Sequence, residues 1–399
     1  MKHKEKYNPH KIHLIILINF LFGLSIALII YVASVYYQQA SGSYNVSVYY
    51  LLPYSFIFLT LLNLHKVVRY CGKVRILLFL FVGQLVTLTV LLLLDVTPIG
   101  ALLLMAFFFF SGVSWVVLDA ILETYSSDER SGHIRGLYLT ALNTGILLGP
   151  IISTQILEKF NYHGIFVILL IIYCVMFLLS LLGLRDMQSD FHSVISVTTL
   201  VKKAWRDVHI RKIYWIAFTL SFFYALLNIY TPLYLLQKGL SLVEIGYIFT
   251  VMLIPFVLFQ YPAGVLADKR WGEKEFLAIA FVIMAGSVGM MAFITSSHIA
   301  LWMGVLFVGR VGAALAEIMR DSYFYKLVNG EDVPLINLFR SSESAAYIAA
   351  AVVSAALLFF FPLPVAFFLV AGVVLIGLYP VLTLRDSVAE NERKGVSQL

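Results

Sequence analysis

A chain of 399 residues that is 61% hydrophobic and 13% charged, with a mean hydropathy of +0.91, carries about half the charged residues of an ordinary soluble domain. That composition excludes a soluble globular or disordered chain and leaves a polytopic membrane protein. The net charge of +6 calls for no nucleic-acid partner, because Lys and Arg collect on the cytoplasmic side of membrane proteins and set their orientation.

The first element begins behind the basic stretch MKHKEK. Its apolar run from Leu14 to Val35 exceeds the roughly 7–15 residues of a signal-peptide core, so it reads as a retained helix. A bilayer core needs about 20 mainly apolar residues per helix. Twelve segments meet that need, at 13–36, 48–64, 76–94, 98–122, 136–158, 165–183, 213–235, 245–266, 276–295, 299–318, 341–361 and 365–384. They divide the chain into a cytoplasmic N-terminus (1–12), an N-terminal six-helix bundle (13–183), a cytoplasmic linker (184–212), a C-terminal six-helix bundle (213–384) and a cytoplasmic tail (385–399). Within the linker, VKKAWRDVHIRK suits an amphipathic helix at the membrane interface. The expected fold is an all-α polytopic membrane protein.

The connections alternate between basic segments, such as HKVVRYCGKVR, and short, nearly uncharged ones, such as QQASGSYN. Of the 28 Lys and Arg, only Lys159 and Lys238 fall in loops on the uncharged side, while Arg310 lies inside a span. Both termini are therefore expected in the cytoplasm, with the chain in the cell membrane. Cys71 falls in an expected cytoplasmic loop and Cys174 within a span, which suggests neither a disulfide framework nor a metal site.

Two stretches repeat. LDAILETY (Leu118 to Tyr125) ends span four, and AEIMRDSY (Ala316 to Tyr323) ends span ten. Each holds acid, three residues, acid, hydroxyl residue, tyrosine. The loops after spans two and eight, LHKVVRYCGKVR and GVLADKRWGEKE, occupy equivalent places in the two halves, so the halves read as duplicated.

On these residues the chain resembles the major facilitator superfamily over essentially its full length. The loop from Gly264 through Asp268, Lys269, Arg270 and Gly272 to Lys274 is similar to the family's pattern of glycine, acid, bases, glycine and base, with one extra residue before Gly272. In the first half Gly72, Lys73 and Arg75 fit that pattern, but Val68 or Arg69 stands where the family places an aspartate. TGILLGPIIS, with Gly145, Gly149 and Pro150, resembles part of the antiporter signature of the family's exporters; Ile152 and Ser153 replace its last glycines. The resemblance implies two pseudo-symmetric six-helix bundles around a central cavity that opens alternately to each side. Duplicated halves independently favour a site near the bilayer midplane, reached by rocking one bundle against the other.

Charges within spans are costly and mark function. Asp119 and Glu123 share a helix face four residues apart, and two readings stand for them: a proton carrier, since paired acids raise one another's proton affinity, or a latch onto Arg69, Arg75, Arg130 or Arg135 at the cytoplasmic rim. Glu317 and Asp321 form the second copy, with Arg320 compensating Glu317 locally and with Asp268, Lys269, Arg340 and Glu343 as further partners. Glu317 joins the proton-coupling candidates. Arg69, Lys73, Arg75, Asp268, Lys269, Arg270, Arg320, Asp321 and Arg340 form the expected cytoplasmic gate. Arg310 lies ten residues past Ala300, about 15 Å deep at 1.5 Å per residue, and must find a partner on another helix, a water-filled cavity or a substrate anion. Asn19, Tyr224, Asn228 and Gln260 are the expected polar lining of the cavity.

The chain has no G-x-x-x-x-G-K-[ST], H-E-x-x-H or C-x-x-C pattern, which disfavours ATP-driven transport, and no cofactor is expected. The resulting expectation is a proton-coupled secondary transporter with a lean to export, working as a monomer on a small anionic or polar solute. A membrane enzyme acting on lipid-linked groups would need clustered catalytic acids or histidines, and the nine histidines are scattered. A sensor or scaffold that keeps the fold without flux is the other alternative.

Overall fold

Lipid offers no hydrogen-bonding partner, so a spanning backbone must satisfy itself, and long apolar runs become helices. The computed structural model describes residues 9–125, 131–184, 205–259, 262, 272–327 and 333–384, apart from the side chains of 65, 66, 69, 123, 124, 131–133, 135, 136, 325, 333, 334, 336 and 337. Its helices are α1 (Pro9–Ser41), α2 (Val48–Cys71), α3 (Lys73–Leu91), α4 (Pro98–Tyr125), α5 (Ser131–Gly183), α6 (Val208–Gln237), α7 (Leu242–Leu258), α8 (Glu273–Met291), α9 (Ile299–Leu327), α10 (Val333–Phe360) and α11 (Pro364–Leu382). Among the described residues there is no strand, and nine helices are long and apolar enough to cross a membrane. α2 and α7 contribute shorter apolar stretches, Val48–Leu64 and Leu242–Leu258.

Several boundaries differ from the sequence expectation. The basic segment after Leu64 continues α2 to Cys71, and Gly72 alone separates it from α3. Gly72 adopts φ 84°, ψ 151°, a conformation that only a residue without Cβ reaches freely, and its N–H closes α2 on the carbonyl of Val68 at 2.9 Å. Spans five and six run together as the 53 residues of α5, broken at Asn161 (φ 53°, ψ −163°), a positive-φ conformation that residues with a side chain rarely adopt. At the start of α6, Asp207 accepts from the backbone N–H of His209 (2.8 Å) and Ile210 (3.2 Å). This side-chain cap makes residues 208–212 of the expected linker the first turn of α6.

The chain forms two compact units, residues 1–194 with 245–250, and residues 195–244 with 251–399. In the first, α1 lies along α5, and glycines set how closely. A Cβ at Gly145 would stand 2.3 Å from the Phe20 carbonyl oxygen, and one at Gly149 2.1 Å from the Ala27 Cβ. Small residues let backbones approach where lipid supplies no hydrophobic drive between helices. In the second unit, α8 packs on α9 and α11, while α6 packs on α10, α11 and α9. Outward faces carry Leu93, Leu182, Phe359 and Ile376 at 75–83% exposure, which water would penalise and lipid does not.

Candidate functional site

Helical spacing builds the site. On α9, Arg310, Ala313, Glu317 and Arg320 follow at intervals of three and four, one stripe of one face. Tyr224 and Asn228 lie four apart on α6, and Glu343 and Tyr347 four apart on α10. Both α9 and α10 pack on α6, so the three stripes meet inside the second unit.

Arg310 is only 4% exposed. Its Nη2 donates to Asn228 Oδ1 at 3.1 Å, and its guanidinium lies over the Tyr224 ring, 5.1 Å from the centroid, a cation–π contact. Asn228 turns its amide nitrogen to Tyr347 Oη at 3.2 Å. Tyr224 donates its hydroxyl to Glu317 Oε2 at 2.9 Å. One aromatic side chain thus touches the cation with its face and the acid with its hydroxyl, linking two groups that lie two helical turns apart. Among the described residues no carboxylate lies within ion-pairing distance of Arg310, and its Nε–H, though buried, has no acceptor. A buried, incompletely satisfied guanidinium is a ready donor to an anion or carbonyl oxygen.

Below this group the charge turns inward on itself. Arg320 directs Nη2 and Nε at Asp321 Oδ1, at 2.7 and 2.8 Å, and stacks over Phe339 at 5.4 Å. Glu317 interacts electrostatically with Arg320, Asp321 and Arg310, and Glu343 with Arg320 and Glu317. Tyr224, Asn228, Glu317 and Glu343 are all partly exposed. Further along α9, Ser322 (2.9 Å) and Lys326 hold the fully buried carboxylate of Glu273 on α8.

The remaining expected residues occupy other places. Asn19, with no exposed surface, donates to the Tyr138 carbonyl at 2.8 Å and so ties α1 to α5. Asp119 is 5% exposed, and Lys73 Nζ reaches the carbonyl of Ala120 at 3.0 Å, fastening the start of α3 to the last turns of α4. Arg75 is exposed and Arg340 partly so, each with an interaction of its own. Gln260, Asp268, Lys269 and Arg270, and the side chains of Arg69 and Glu123, lie outside the described residues. Among the described residues no three His, Cys, Asp or Glu gather as metal ligands. Sequence reasoning missed Tyr347; the available signal was a single tyrosine four residues past Glu343 in the alanine-rich run SAAYIAAA.

A family model described as Major Facilitator Superfamily matches residues 15–249 and 238–398. The chain is 26% identical over 179 residues to the uncharacterized MFS-type transporter YcaD of Escherichia coli O7:K1 (strain IAI39 / ExPEC), covering 45% of each protein. The same identity and coverage hold for YcaD of Escherichia coli O9:H4 (strain HS) and of strain K12 / DH10B. The chain thus spans less than half the length of these relatives. The family match extends through both units, and with it the apolar helices and their polar interior fall into place: this multi-pass membrane protein belongs to the major facilitator superfamily and has its fold.

Proposed function

We propose that the chain is a secondary transporter that moves a small anionic solute across the cell membrane by alternating access, coupled to protons, with both termini in the cytoplasm. Family membership supports transport rather than enzymatic chemistry. The observation that carries the anionic substrate is Arg310: buried, held by Asn228 and Tyr224, and left with an unpartnered Nε–H. Asn228 and Tyr224 orient the guanidinium, while Tyr347 fixes the amide of Asn228. Proton coupling draws support from Glu317, which shares the Tyr224 side chain with Arg310. A proton on Glu317 removes the anionic acceptor of the tyrosine hydroxyl and alters the field at Arg310. The lean to export rests on the resemblance of TGILLGPIIS to the antiporter signature.

Flux tests the reading. Proteoliposomes with an imposed pH gradient should accumulate or lose an organic anion in the wild type, and Arg310→Ala should abolish saturable uptake while the protein remains monodisperse. A panel of anions screened by thermal stabilisation identifies the solute, since any ligand of the folded state raises the melting temperature. Wild-type flux in Arg310→Ala removes the arginine from the site. Absence of flux for every solute in the wild type favours a sensor.

A further inference from the structure

The second unit holds a separate recess where α6 begins, α9 ends and α10 begins. Phe324 and Phe339 stack at 3.9 Å to form its floor, Trp205 and Tyr214 meet edge-on at 6.0 Å as a wall, and Leu335 and Leu338 complete the apolar lining. Its open space is about 280 Å³, a figure that takes in the solvent at its mouth, so it is a surface recess and does not enclose a whole small-molecule ligand. Such a recess suits part of a longer amphiphile.

Arg211 also lines it. This side chain is partly exposed, and among the described residues its guanidinium has no hydrogen-bond or ion-pair partner. The neighbouring charges are chiefly basic. Arg206 is exposed, His209 touches Tyr323 of α9 through Nδ1, and Lys212 donates to the carbonyl of Thr383. From α9 and α10 come Lys326, paired to Glu273, and Arg340. Among the described residues the acid nearest Arg211 in sequence, Asp207, is committed to capping α6.

We propose that the recess binds an anionic phospholipid of the adjoining leaflet, with the phosphate on Arg211 and the first part of an acyl chain against Leu335, Leu338 and Phe339. Arginine matches phosphate with two parallel donors, and Trp205 and Tyr214 are the residue types that settle at headgroup depth. Basic segments mark the cytoplasmic leaflet, where anionic lipids concentrate. Free phosphate would satisfy the guanidinium but leave the apolar surface bare; a lipid covers both.

The test titrates the purified full chain in detergent with dioleoyl phosphatidylglycerol, dioleoyl phosphatidylcholine or inorganic phosphate, reading bound lipid by native mass spectrometry and the melting temperature in parallel. Phosphatidylglycerol should bind and raise the melting temperature, and phosphate at equal concentration should neither stabilise nor compete. Arg211→Gln should weaken phosphatidylglycerol about fivefold, the scale of one basic residue at an anionic surface, with Arg211→Lys between Arg211→Gln and wild type, since lysine keeps the charge and loses the paired donors. Leu338→Trp, which fills the recess and keeps the charge, should weaken it as well. Each variant is referred to its own lipid-free melting temperature, so that general destabilisation does not imitate loss of binding. Equal binding by Arg211→Gln, insensitivity to Leu338→Trp, equal affinity for phosphatidylcholine, or competition by inorganic phosphate would overturn the proposal.

Discussion

Tyr224 does two things at once, and they can be separated chemically. Its ring supports the Arg310 guanidinium, whereas its hydroxyl serves Glu317. Tyr224→Phe keeps the ring and deletes a hydrogen bond to a carboxylate, an interaction worth about 1.5–3 kcal/mol. Solute exchange at equal pH should therefore survive in Tyr224→Phe, while net flux driven by a pH gradient falls roughly tenfold or more, as a loss of that size implies. Glu317→Gln should retain exchange and lose its dependence on the gradient altogether; gradient-driven accumulation in that variant would place the proton elsewhere. The ion pair below is structural by contrast. Lys326 is 29% exposed and Glu273 not at all, so Lys326→Met removes a cation from a buried carboxylate that Ser322 still touches. The cost should fall below the about 3–5 kcal/mol of a fully buried broken pair, read as a lower melting temperature with transport intact. Arg310 and Glu317 were legible in the sequence because a charge in an apolar run has few explanations. Tyr347 was not, since its bond to Asn228 spans 119 residues and a tyrosine in a membrane helix is usually filler.

The helices themselves were legible because the bilayer imposes a length, and a run of about 20 apolar residues has one stable conformation there. Their ends were not, because outside the hydrocarbon that pressure lapses. HKVVRY contains nothing that stops a helix, so α2 runs on until Gly72. The TGILLGPIIS stretch resembles a transport signature, yet Gly145 and Gly149 meet α1 so closely that packing alone requires them. Gly149→Leu places atoms where Ala27 stands 2.1 Å away, and overpacking of this kind costs about 1–3 kcal/mol, occasionally more. The control is Gly286 on α8, where a Cβ would meet nothing within 4 Å. Gly286→Ala should be neutral or stabilise by up to ~1 kcal/mol through helix propensity. Equal melting temperatures for the two variants would mean that the α1–α5 approach is looser than its geometry.

At the scale of the whole molecule, the proposed orientation rests on one asymmetry of the sequence: nearly all Lys and Arg outside the spans fall in the connections expected to be cytoplasmic, and only Lys159 and Lys238 in those expected outside. The positive-inside rule turns that count into a direction, and the chain carries its own reporters. Cys71 ends α2 beside the basic α2–α3 turn, and Cys174 sits inside α5; both side chains are exposed. Exposure means different solvents in the two cases. A charged maleimide reaches thiols in water and not thiols that face hydrocarbon, so Cys71 should label readily and Cys174, within the Leu137–Gly183 apolar stretch, should not. A membrane-impermeant maleimide applied to intact cells should therefore leave the chain unmodified, whereas inverted vesicles should take up one label, abolished by Cys71→Ser and unaffected by Cys174→Ser. Labelling of Cys71 from outside intact cells would reverse the whole chain in the membrane.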